Sequence, residues 1–150
     1  MKNEILTIEE AYNRLSMSIP TKTTGRQEVL DLVKWISEWN QTLPDNFKII
    51  CYLRDDINIG FMIDRDSNRD KIRKPRFMVI KHIGKDRDFK KYLHLDFYLG
   101  IEGYKPLEKY INKRPIHPSS WVLLSKDYKA INFDNIKILV KKSYEKRTNF

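Results

Sequence analysis

His94 and Asp96 stand two residues apart in Tyr92-Leu-His-Leu-Asp-Phe-Tyr-Leu99. On a strand that spacing sends both side chains out of one face, between Tyr92 and Tyr98. An imidazole beside a carboxylate begins a general-base or metal pair, but it supplies only two ligands, and His82 and His117 belong to other elements. A nuclease of the restriction type needs an acid at the end of one strand and acid-x-Lys on the next. Two carboxylates then hold the ion and the Lys orients the attacking water. Asp64 and Lys81 have the right types, yet Val79 occupies the second carboxylate position. The pattern therefore favours His94 and Asp96 as the exposed polar side of a sheet whose other side is core. No Gly-rich phosphate loop, zinc-finger spacing, His-Glu-x-x-His helix or Gly-x-Ser-x-Gly elbow occurs. Ser119-Ser120 reads as a turn. No catalytic residue, metal or cofactor is expected.

The cations are the stronger signal. Residues 65–91 hold eleven basic and four acidic side chains. Arg69, Lys71, Arg73, Lys74 and Arg76 make one run; Lys85, Arg87, Lys90 and Lys91 make the next. Tyr92 and Tyr98, on the polar side of their strand, are placed to stack on bases beside these charges. If the strands on either side of residues 84–91 pair as a hairpin, the two runs fall at opposite ends of it.

The elements that must position these groups follow from periodicity. Arg76–Ile83 carries Phe77, Val79 and Ile83 on one side and Met78 and Ile80 on the other, as a strand inside a sheet would. In Tyr92–Leu99, Leu93, Leu95, Phe97 and Leu99 alternate with polar residues. Phe47–Leu53 and Ile57–Ile63, separated by Arg54-Asp-Asp56, predict a hairpin, with Gly60 marking a bulge or a close approach. Trp121–Leu124 is a fifth, short strand, and Asp64 to Pro75 reads as an exposed loop.

Thr7-Ile-Glu-Glu10 has capping-box spacing and predicts a short helix over Ile8, Ala11, Tyr12 and Leu15. Thr24-Gly-Arg-Gln27 repeats the spacing before a long amphipathic helix through Val29, Leu32, Val33, Trp35, Ile36, Trp39 and Leu43. Pro106 suits the first turn of a helix through Leu107, Tyr110 and Ile111. Asn132 caps a last helix with Phe133, Ile136, Val140 and Tyr144 inward. Lys137, Lys141, Lys142, Lys146 and Arg147 lie outward or toward its C-terminus, where the dipole favours cations. The expected architecture is α+β: one domain, a mainly antiparallel sheet of about five strands packed by amphipathic helices. Residues 1–23 form a short helix and connector ahead of a core over 24–150.

At 150 residues, 41% of them hydrophobic, the chain is globular, with roughly 68–70% of its unfolded surface available for burial. No stretch reaches the ~18 apolar residues of a membrane span, and the acidic first fifteen residues do not resemble a secretory signal. Cys51 is the one cysteine, which excludes an internal disulfide and favours a reducing, cytoplasmic setting with the thiol in the core. Residues 1–60 carry a net −2 and residues 61–150 a net +11, so the whole surplus of +9 lies in the later part. That asymmetry concerns partners rather than fold.

Phe77-Met-Val-Ile80, Lys91-Tyr-Leu-His-Leu95, Pro118-x-x-Trp-Val122 and the closing basic helix ending Ser143-Tyr144-Glu145 occur in a telling order. Over residues 25–147 it resembles a small bacterial domain catalogued as a predicted transport protein and sometimes joined to nuclease-like partners. That family has no established catalytic residues, so the resemblance assigns none here. The expected function is a non-catalytic basic module contacting a polyanion, nucleic acid first, through Arg and Lys of residues 69–91. The alternatives are a metal-dependent nuclease using Asp64, His94 and Asp96, and a protein that docks an acidic protein partner.

Overall fold

Local chemistry starts the first helix as its spacing predicts. In the computed structural model Thr7 Oγ1 accepts from Glu10 N, and Glu10 Oε1 accepts from Thr7 N, both at 3.1 Å. The structure describes residues 4–55, 58–64, 76–82, 93–98, 104–113, 119–124 and 131–148. Their order is β1 (Glu4–Leu6), α1 (Ile8–Ser18), α2 (Arg26–Gln41), β2 (Ile49–Asp55), β3 (Asn58–Ile63), β4 (Arg76–His82), β5 (Leu93–Tyr98), β6 (Ile111–Lys113), β7 (Ser119–Leu124) and α3 (Phe133–Arg147), with 3-10 turns at Asp45–Phe47 and Lys105–Tyr110. The strands form one antiparallel sheet in the order β1-β2-β3-β4-β5-β7-β6. The fold is α+β, with the five expected strands at its centre and two three-residue strands added at its edges.

The helices cover one face. Ile8, Ala11 and Leu15 of α1, Val29, Leu32, Val33 and Ile36 of α2, and Ile136, Leu139 and Val140 of α3 share a core with Leu6, Cys51, Ile59, Phe61, Phe77, Ile80, Leu95 and Phe97. The N-terminal segment thus belongs to the core rather than preceding it: β1 pairs with β2, and α1 packs on α2 and β2. No helix among the described residues is long and apolar enough to cross a membrane.

Several expectations are corrected. The second capping box does not form; Gly25 caps α2 in a left-handed conformation (φ 80°), open to glycine without strain. The Arg26 side chain instead donates to the carbonyls of Ser16 (2.9 Å) and Ile19 (3.1 Å), tying the start of α2 to the end of α1. α2 stops at Gln41, short of Leu43. Asn40 then holds the first residue of β2, accepting from Ile49 N at 2.7 Å. The helix expected from Pro106 is a 3-10 turn that gives way to β6 at Ile111, and Ser119 and Ser120 are in β7 rather than a turn. A register shift at Phe61/Met62 puts both Phe77 and Met78 with the helix-side core, so Phe77 and Val79 do not share a face.

The largest correction concerns the sheet's second face. Tyr52, Gly60, Val79 and Asp96 form one cross-strand row. Lys81 and His94 are paired in the next, and Tyr98 follows Asp96 by two. This side of β5 was expected in water, yet His94, Asp96 and Tyr98 are only 6%, 2% and 4% exposed. Gly60 marks a close approach, as expected, but of a side chain: a Cβ there would overlap Cζ, Cε1 and the hydroxyl of Tyr52.

Candidate nucleic-acid interface

Arg76 and Tyr98 are the two candidate binding residues within the described part of the chain. Arg69, Lys71, Arg73, Lys74, Lys85, Arg87, Lys90, Lys91 and Tyr92 lie outside the described residues, as does His117. β4 begins at Arg76 and ends at His82, and it pairs antiparallel with β5. Arg76 and Tyr98 meet: the guanidinium carbon sits 4.2 Å from the centre of the ring. Tyr98 is therefore a buried support for a cation and not an open platform for a base.

A third residue joins them from α3. Arg147 Nε donates to the Arg76 carbonyl at 2.8 Å. Burial, and then the Arg76 charge, hold the Arg147 guanidinium below its usual pKa, with Tyr98 opposing. Ser143, one turn earlier, explains why α3 lies here. Its buried hydroxyl accepts from Tyr98 N at 3.2 Å and lies 2.5 Å and 2.7 Å from the carbonyl oxygens of Phe77 and Tyr98, one of which takes its proton. The β4–β5 ladder runs as far as Met78 and Phe97, and the serine bridges the next residues.

The polar groups considered for catalysis divide. Lys81 Nζ is 2.7 Å from Asp96 Oδ2, and His94 stands directly across from Lys81. Asp96 lies directly opposite Val79, so the carboxylate missing from acid-x-Lys arrives from the neighbouring strand. The other acid does not come near. Asn58 is the β3 residue beside Lys81, whereas Asp64 follows the far end of β3, roughly 20 Å away at 3.3 Å per residue. Among the described residues no three His, Cys, Asp or Glu side chains are placed to hold a metal ion. What the structure builds here is a buried ion pair. Cys51 is wholly buried, and desolvation pushes its thiol well above its usual range, as suits a core residue.

The exposed side of α3 brings cations and aromatic rings together. Trp35 and Trp39, one turn apart on α2, stack with centres 5.5 Å apart, and Tyr144 of α3 meets Trp39 edge-on at 5.0 Å. Lys137 Nζ lies 5.5 Å from the Trp35 ring, and Lys141 Nζ 5.7 Å and 5.8 Å from Trp35 and Trp39. On the opposite flank Lys142 Nζ is 5.8 Å from the Tyr104 ring, whose hydroxyl donates to Asn135. Among the described residues Lys141, Lys142, Lys146 and Arg147 form no ion pair; Lys137 has only exposed Asp134, at 3.8 Å.

Sequence reasoning counted these lysines but assigned them to the helix dipole. The tryptophan partners of Lys137 and Lys141 sit about a hundred residues earlier, and only the packing of α3 beside α2 reveals that pairing. The signal that existed was the one-turn spacing of Trp35 and Trp39, and of Lys137 and Lys141. No protein-family model, no curated protein and no solved structure matches the chain.

Proposed function

We propose that the protein is a non-catalytic nucleic-acid-binding module that lays the phosphate backbone along the exposed side of α3. The observation that carries this reading is the row of cations Lys141, Lys142, Lys146 and Arg147, which form no ion pair among the described residues and are flanked by Trp35 and Trp39 on one side and Tyr104 on the other. Exposed lysines seek phosphate oxygens, and half-buried rings beside them keep the ammonium groups in place while offering π-faces at the margin of the strand's path. The net charge of +9 works in the same direction over longer range. Helix α3 itself carries five basic residues against Asp134 and Glu145.

Fluorescence anisotropy with a labelled single strand and a labelled duplex at low salt tests the reading. Binding by the wild type and its loss in Lys141→Glu/Lys142→Glu, which still unfolds cooperatively, is the expected result. Both lysines are exposed, so the double substitution spares the core. A wild type that binds neither probe, or a variant that binds as well as the wild type, overturns it.

A further inference from the structure

At the C-terminal end of α3 the Arg147 side chain is tied to the backbone of Arg76, and among the described residues no carboxylate pairs with either arginine. Arg76 and Arg147 are each half-buried. Arg76 Nε is shut away from solvent and meets no hydrogen-bond acceptor, while its charged end rests on the Tyr98 ring. Arg147 spends Nε on the Arg76 carbonyl, which leaves its two amino groups without a partner among the described residues. Glu145, two residues before Arg147, forms no ion pair with either arginine. The negative end of the helix dipole supplies about half a charge, too little to balance two cations. The Glu145 carbonyl there already takes Thr148 N and Oγ1. Two like charges so fixed, one with a buried unsatisfied donor, are unfavourable unless an anion joins them.

The chemistry of that anion follows from the donors. Planar guanidinium forks match tetrahedral and carboxylate oxyanions, and two adjacent forks match a group carrying two charges. A phosphate monoester carries nearly two at neutral pH, whereas an internal phosphodiester carries one. We propose that Arg76 and Arg147 form a binding site for a dianionic phosphate monoester. On the nucleic-acid reading above, on which only the identity of the carrier rests, this is the terminal phosphate of a strand whose backbone follows α3.

The test compares the full chain's affinity for two single strands of one sequence, one terminally phosphorylated and one ending in a hydroxyl, alongside the melting-temperature shift caused by inorganic phosphate against chloride at equal ionic strength. The wild type is expected to favour the phosphorylated strand by about tenfold or more, the contribution of one charge-assisted hydrogen bond. Arg147→Gln is expected to bind the two strands alike, and both more weakly than the wild type does, and Arg147→Lys to recover part of the preference. Equal wild-type affinity for the two strands overturns the phosphate site and leaves the α3 reading intact. If neither strand binds but inorganic phosphate stabilises the wild type and not Arg147→Gln, the site stands and the nucleic-acid carrier is wrong. No response to strand or phosphate overturns both. Were Arg147→Gln not to fold, the wild-type comparison of strand ends decides alone.

Discussion

Lys81 and Asp96 meet diagonally across β4 and β5, the ammonium 2.7 Å from Oδ2, on the face of the sheet turned away from the helices. The Asp96 side chain is 3% exposed and that of Lys81 is 24% exposed, so the lysine reaches toward water and the carboxylate does not. Asp96 Oδ1 is buried with no hydrogen-bond partner, which leaves the carboxylate dependent on this lysine. Removing one member of a buried pair strands the other charge, and Lys81→Met is expected to cost about 3–5 kcal/mol. Adding Asp96→Leu should restore most of it. Urea denaturation of the two variants checks this; a loss below about 1 kcal/mol for Lys81→Met, the range of a surface pair, would show that Asp96 does not rely on it.

Ser143 performs a ladder function from a helix. Its hydroxyl bridges Phe77 and Tyr98 where the backbone pairing of β4 and β5 ends. Ser143→Ala removes one side-chain atom and with it the buried hydrogen bonds to the Tyr98 amide and to a carbonyl, an expected loss of about 1–3 kcal/mol. Hydrogen exchange at the Tyr98 amide should quicken more than at the Leu95 amide in mid-strand. Uniform acceleration would mean that the serine supports the whole sheet rather than this junction.

The Tyr52 ring lies across Gly60, and Tyr52 is 2% exposed, so the ring is covered on its other sides as well. Gly60→Ala drives a methyl group into the ring and is expected to destabilise by about 1–3 kcal/mol through overpacking. Combining it with Tyr52→Leu should recover part of the loss, because the obstacle is the ring itself. If the double variant is merely the sum of two penalties, the strain lies in the backbone at Gly60 instead.

These three relationships mark where the sequence stopped being legible. The strands were readable because alternation is local: Leu93, Leu95 and Phe97 declare a buried side without knowledge of their neighbours. The Thr7–Glu10 box was readable for the same reason, since three residues contain all of it. The same spacing at Thr24–Gln27 was overruled by Arg26, whose side chain found the end of α1. His94 and Asp96 looked like a wetted face because a carboxylate is costly to bury. The neutralising Lys81 sits on another strand, and only the β4–β5 register shows that it reaches. The candidate interface was half-legible: the cations of α3 are plain in the sequence, but the rings beside them belong to α2, and Arg76 meets Arg147 only through the way α3 packs.

Cys51 offers a pH test. Its thiol is raised well above the usual value of 9.0, first by burial and then by the Glu9 charge. The unfolded chain therefore ionises first as pH climbs past 9.0, while the folded chain keeps its proton. Stability from this group is fully present below that pH and declines above it, by about 1.4 kcal/mol per pH unit until the folded thiol also ionises. Urea denaturation should accordingly show the gap between wild type and Cys51→Ala narrowing above pH 9.0. A native thiol that reacts with a disulfide reagent as fast as the unfolded one would contradict the burial on which this rests.

The salt dependence of binding separates the α3 lysines from a diffuse attraction. Each phosphate contact adds about −0.7 to the log–log slope of affinity against salt for a single strand, and about −0.9 for a duplex. Lys141, Lys142 and Lys146 are exposed and form no ion pair among the described residues, so replacing them takes no partner from a described carboxylate. Cation–π contacts of about 0.5–1 kcal/mol each are the main stability cost for Lys141 and Lys142. A Lys141→Ala/Lys142→Ala/Lys146→Ala variant should thus stay folded, and its slope should flatten by about 2 on single strands if all three touch phosphate. Weakened binding with the wild-type slope would assign the loss to the rings or to altered packing. An unchanged slope with unchanged affinity would remove α3 from the interface, because cations that release no counterions are not in contact with the strand.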